Sequence, residues 1–151
     1  MKASKPLVFL AGAILGASFA CACLTVVILR AIDELNRSSQ AFVERVVPSV
    51  FEKWSVEELA ATSSHEFISH NPASEIERMF DALSGLGGLV TYNIVSGGAY
   101  IAYDKPNGIM LMGSYIISGD FANGEAKIHL ALQYQSGGWR IANFSVNTDL
   151  Q

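Results

Sequence analysis

Cysteine is scarce in this chain of 151 residues, and it is absent where a folded domain would use it. Both cysteines, Cys21 and Cys23, fall inside the apolar run Leu7–Leu29, two apart and therefore on different faces of a helix. No disulfide framework is available to the rest, which has to hold together by packing. Basic residues are few as well, ten against fourteen acidic ones. With Lys2 and Lys5 set aside, eight remain and none are clustered. Recognition of nucleic acid through its phosphates needs clustered Lys and Arg, so no nucleic-acid partner is expected.

Metal-ligating patterns are missing too. His65 and His70 stand five apart around a predicted helix and point to different faces, and His129 takes the polar parity of its strand. The acidic residues Glu44, Glu52, Glu57, Glu58, Glu66, Glu75, Glu77 and Asp81 resemble no metal loop and read as a solvated helix surface. Neither a metal nor a cofactor is expected. Asn143-Phe-Ser145 and Asn36-Arg-Ser38 fit a glycosylation pattern, but Asn143 falls within a predicted strand.

Charge is also absent from Leu7 to Leu29. A helix of that length, at about 1.5 Å per residue, covers a hydrocarbon core of roughly 30 Å, so it reads as a transmembrane helix. Lys2 and Lys5 precede it, whereas Arg30 is followed by Asp33 and Glu34. The charge asymmetry puts residues 1–6 in the cytoplasm of an inner (cytoplasmic) membrane and the C-terminal domain outside or in a periplasm. Cleavage as a signal peptide is the rival, with small residues at Ser18-Phe-Ala20 and Ala20-Cys-Ala22, although the run continues to Leu29. Gly12 and Gly16 form a GxxxG, a candidate helix–helix contact.

What the chain does have is alternation. From Gly124, Ala126, Ile128, Leu130, Leu132 and Tyr134 take one parity and Lys127, His129, Gln133 and Gln135 the other, a strand with one buried and one wet face. Ile109, Leu111, Tyr115, Ile117 and Phe121 keep the same period before the turn Phe121-Ala-Asn-Gly124, and Gln135-Ser-Gly-Gly138 turns the chain into Trp139–Val146. In that last strand the apolar phase shifts between Ile141 and Phe144, which predicts a bulge near Asn143. Leu89–Val95 and Ala99–Tyr103 read as two further short strands joined by Ser96-Gly-Gly98.

Ahead of the sheet the period is helical. Ile32, Leu35, Phe42, Val46, Val50 and Trp54 share a face, with a linker-like stretch at Asn36-Arg-Ser-Ser39 and a kink or break expected near Val47, before Pro48. Ser55-Val-Glu-Glu58 reads as a capping box opening a helix to about Ile68. Asn71-Pro72 ends it, and Ser74 with Glu77 opens another to about Leu83. The expected fold class is α+β: a transmembrane helix over 7–29, a juxtamembrane linker or helix over 30–40, then a domain over 41–151. In that domain about three helices pack on a curled antiparallel sheet of four to five strands.

Helices first, then a bent sheet carrying Tyr115, Phe121-Ala-Asn-Gly124, Gly138-Trp-Arg-Ile141 and Phe144-Ser-Val146, resembles the nuclear transport factor 2-like superfamily of cystatin-like half-cones over residues 40 to 148. The resemblance implies a conical cavity between sheet and helices, frequent dimerisation through the sheet, and functions from isomerases to inert binding modules. In its isomerase branch the cavity holds a carboxylate beside a tyrosine donor. Here Asp104, Asp120 and Asp149 all stand at predicted strand ends or turns.

Two functional readings follow. The first is a membrane-anchored, non-catalytic binding or assembly module of the cell envelope. Its expected partners are the membrane, an envelope protein and a second copy, and its ligand is a protein or a small apolar molecule. The second is an isomerase-like enzyme or carrier using the cone. Leu111, Tyr115, Ile128, Leu130, Leu132 and Trp139 are the candidate cone lining, and Tyr100, Met110, Met112 and Ile116 the candidate outer-face contact.

Overall fold

Four strands run in sequence order across one antiparallel sheet: β1 (Leu89–Asp104), β2 (Gly108–Phe121), β3 (Gly124–Gln135) and β4 (Gly138–Asn147). They follow a long helix α1 (Lys5–Phe51), three short helices α2 (Val56–Thr62), α3 (His65–His70) and α4 (Ala73–Leu83), and a 3₁₀ turn at Ser84–Leu86. This computed structural model describes the backbone of residues 5–148 and the side chains of residues 25–148. The chain divides into two compact units, Met1–Leu35 and Asn36–Gln151.

The α+β class holds, but the expected transmembrane helix does not. Among the described residues no helix is long and apolar enough to cross a membrane. Of the expected span 7–29, residues 7–24 lie outside the residues whose side chains are described, and beyond it α1 carries Arg30, Asp33, Glu34, Arg37, Glu44 and Arg45, charges that exclude that part of the helix from a hydrocarbon interior. Gly12 and Gly16 lie outside the residues whose side chains are described. In the first unit Val26, Val27, Ile28, Leu29 and Ile32 are exposed.

Three further expectations change for one reason: a tertiary partner supplies what the local sequence withholds. The stretch Asn36–Ser39 is helical, and of the kink or break expected near Val47 the break is absent, because α1 continues through Pro48. Pro48 has no N–H to give the carbonyl of Glu44 one turn back. That carbonyl instead accepts a hydrogen bond from the Tyr92 hydroxyl on β1, at 3.1 Å. The helix expected from Ser55 to Ile68 is two helices. Ser55 caps α2 by accepting the Glu58 N–H, and Ser64 caps α3 by accepting that of Phe67. Between the two caps, Ser63 bridges Ile141 and the Ser64 N–H donates to the Ile141 carbonyl at 2.8 Å, covering one edge of the sheet.

The two short strands expected before Asp104 are one strand of sixteen residues, because Ser96–Gly98 pair with Ser114–Ile116 of β2 instead of forming a turn. Register shifts leave Val90 and Val95 as extra residues, and both are exposed. The bulge expected near Asn143 is present. Ile141 pairs with Leu132 and Asn143 with Ala131, so Ala142 is the additional residue that brings Phe144 back to the buried face.

The core lies between that face and the end of α1. Val43, Val46, Val47, Val50 and Phe51 are fully buried against a sheet face carrying Ile117, Ile128, Leu130, Leu132 and Ile141. An aromatic cluster closes one end of the second unit, with Phe51, Trp54, Phe80 and Phe144 in edge contacts and Trp54 stacked on Phe121 at 5.3 Å. Trp54 adopts a left-handed backbone (φ 52) just past the helix, where glycine is usual. Its indole occupies the cluster and donates to the Gly87 carbonyl at 2.8 Å, which offsets that cost.

Candidate interaction surfaces

Apolar side chains fill the helix-facing side of the sheet. Tyr115, Ile128, Leu130, Leu132 and Trp139 are all buried there, and Leu111 is half-buried at its margin. The polar atoms in this layer are paired across the fold by one turn of α1. Asn36 Oδ1 accepts the Ala99 N–H at 2.7 Å, Ser38 Oγ accepts from Trp139 Nε1 at 3.0 Å, and Ser39 Oγ lies 2.5 Å from the Tyr115 hydroxyl. Ser39 also donates to the Asn36 carbonyl at 3.0 Å, so the Tyr115 hydroxyl is the donor of their shared bond. The sequence expected a linker here. The signal was present in the run of short polar side chains, but their partners lie 63 to 101 residues away.

The candidate carboxylates stand elsewhere. Asp104 closes the β1–β2 turn, accepting from Asn107 Nδ2 at 2.7 Å, and Asp120 is exposed at the far end of β2. Asp149 lies outside the described residues. Among the described residues no three His, Cys, Asp or Glu side chains are grouped to hold a metal. His70 Nδ1 is hydrogen-bonded to its own helix through the Glu66 carbonyl, and His129 sits on the far face of the sheet, opposite Ile116. Glu44, Glu52, Glu57, Glu58, Glu66, Glu75, Glu77 and Asp81 are all exposed.

A groove of about 510 Å³ opens between α1, α2 and the β3–β4 turn. Its chemistry comes from Arg45 and Arg140, with Ser49, Thr62 and Glu58 along the same walls. The Arg45 guanidinium lies 5.5 Å from the Phe42 ring centre, and Arg140 donates to the Ala61 carbonyl at 2.8 Å. Sequence reading did not single out either arginine, since they are 95 positions apart and neither belongs to a cluster.

Tyr100, Met110, Met112 and Ile116 share the sheet face turned away from α1. Tyr100 pairs with Met112, Met110 pairs with Ala102, and Gln133 Nε2 approaches Met110 Sδ at 3.6 Å. The β1–β2 ribbon runs beyond the rest of the sheet, because β3 meets β2 only as far as Met112↔Gln133. The pairs Ile101↔Leu111 to Asp104↔Gly108 therefore form a two-stranded arm to which, among the described residues, no third strand is paired. Its helix-side face carries Ile101, Tyr103 and Ile109, which are 63 %, 73 % and 76 % exposed. These three side chains make an exposed apolar patch on the arm.

No protein-family profile and no curated protein matches the chain. Among solved structures, the intermembrane-space region of the chloroplast protein ARC6 is similar at a TM-score of 0.41 and 13% identity, covering 76% of this chain and 97% of that one.

Proposed function

We propose that the chain is a non-catalytic binding or assembly module that engages other proteins through its outer surface. The observation that carries this reading is the filled space beneath the sheet. Val43, Val46, Val47 and Val50 occupy it, and the Ser39 and Tyr115 hydroxyls within it are committed to one another. A pocket for an apolar substrate would need that volume, and enolisation would need a base beside it. The projecting arm and the methionine-bearing face provide contact surface instead.

A second reading has its own support. Arg45 and Arg140 in one open groove, with hydroxyls beside them, suit a small ligand bearing a carboxylate or phosphate.

Native mass spectrometry of the full chain purified from its own cells tests the first reading. The expected masses are those of the polypeptide and of protein complexes containing it. A stoichiometric small molecule released on unfolding would overturn the proposal. Loss of that molecule in Arg45→Ala would assign it to the groove, and its retention there would assign it to the interior.

A further inference from the structure

The groove beside the β3–β4 turn holds an open stretch of sheet edge. Gln135 pairs with Gly138 across a two-residue loop, and from there the ladder runs without a register shift to Leu132↔Ile141. In an antiparallel pair the N–H and C=O of alternate residues point out of the ladder. Ile141 is one of these, because its carbonyl accepts the Ser64 N–H at 2.8 Å. Two residues earlier, Trp139 therefore turns its N–H and C=O the same way. Ser63 and Ser64 cover the edge at Ile141, but among the described residues no group of the chain is bonded to the main chain of Trp139 on that side. Trp139 is only 6 % exposed and lines the groove. A main-chain donor and acceptor so enclosed require partners, and the groove is where a partner can reach them.

The side chains along the groove decide which partner fits. Arg45, held over the Phe42 ring, and Arg140, anchored on the Ala61 carbonyl, are exposed, and among the described residues neither has a carboxylate partner. Ser49 and Thr62 spend their hydroxyl protons on the Val46 and Glu58 carbonyls, at 3.0 and 2.7 Å, so their oxygens remain as acceptors. Glu58 adds a carboxylate to the same walls. The groove thus offers cations to an anion and acceptors to N–H groups, a combination that an extended peptide with an acidic side chain meets and a simple anion does not. Glu58 also opposes a doubly charged phosphate more than a carboxylate. Resting on the binding-module reading, we propose that the groove takes an extended segment of a partner protein, whose main chain bonds the outward N–H and C=O of Trp139 and whose aspartate or glutamate side chain lies with Arg45 and Arg140. The segment continues the edge covering that Ser63 and Ser64 begin, and its carboxylate supplies the charge-assisted bonds that select it.

The test uses the full chain and a pool of acetylated, amidated pentapeptides with glutamate fixed at the centre, titrated to millimolar and followed by nitrogen–proton NMR. Expected are shifts at Trp139 and Arg45 and slowed exchange of the Trp139 amide with solvent deuterium. Binding should weaken by about tenfold or more when glutamine replaces the fixed glutamate. Arg45→Ala should lose the same factor with unchanged circular dichroism, since the Arg45 side chain touches only its own helix in this unit. Equal binding of the glutamine pool, a Trp139 amide left unprotected at saturation, or no binding at millimolar concentration overturns the inference. So does a phosphoserine pool that binds more tightly than the glutamate pool, or sodium acetate alone that protects the Trp139 amide equally. Protein complexes that persist in Arg45→Ala by native mass spectrometry would leave the binding-module reading standing without this groove, whereas a released small molecule would overturn that reading itself.

Discussion

Tyr92 replaces a hydrogen bond that Pro48 cannot make, and a double-mutant cycle measures the substitution. Tyr92→Phe leaves the Glu44 carbonyl without its 3.1 Å donor. Glu44 is exposed and Tyr92 is half-buried, so water partly takes over. The expected cost falls at the lower end of the usual range for a lost hydrogen bond, about 0.5–1 kcal/mol. Pro48→Ala restores the backbone N–H one turn along, and that N–H returns to Glu44 as the ordinary helical donor. In that background Tyr92→Phe should cost less than about 0.3 kcal/mol, a coupling energy of roughly 0.5 kcal/mol or more. Equilibrium urea unfolding of the four proteins, followed by far-ultraviolet circular dichroism with a common slope, reads it directly. Identical costs of Tyr92→Phe in both backgrounds would refute the account, because the hydroxyl would then not be standing in for the missing amide.

Ser39→Ala should destabilise more than Tyr115→Phe, by about 1 kcal/mol in urea unfolding. The first strands a buried phenol hydroxyl, whereas the second leaves Ser39 donating to the Asn36 carbonyl. Gly88→Ala should cost more than about 2 kcal/mol, and Gly85→Ala less than about 0.5 kcal/mol by the same measurement. A Cβ at Gly88 would run into the Glu52 carbonyl oxygen at the end of α1, and at Gly85 it meets open space. Burial, and then the Glu44 carboxylate, hold the Tyr92 phenol above its usual value of 10.0. The folded state thus favours the neutral phenol. Its contribution is full below pH 10 and declines as pH rises from there through the folded value, so the stability difference between wild type and Tyr92→Phe should stay flat to about pH 9 and shrink above it.

The alternation from Ile109 to Val146 sufficed to draw a three-stranded meander, its buried face and the bulge that returns Phe144 to that face. The same parity put Tyr100, Met110, Met112 and Ile116 on one side of the sheet. The capping serine at 55 is likewise local: a short hydroxyl reaches the N–H three residues on, and nothing distant has to agree. The groove was not legible, because Arg45 and Arg140 converge only after α1 and β4 have packed.

What the sequence by itself determined, then, is the periodic part: which residues alternate, where turns fall, and the α+β class that follows. Only the tertiary structure decided where elements end. Pro48 stays within a helix because Tyr92 donates from β1, Asn36–Ser39 become a clamp because Ala99, Tyr115 and Trp139 present partners, and residues 55–70 split because Ile141 draws Ser63 and Ser64 out of the helix. Side-chain period is written in neighbouring residues, whereas the satisfaction of a backbone polar group depends on whichever donor or acceptor the fold brings to it, and that donor can come from any distance along the chain.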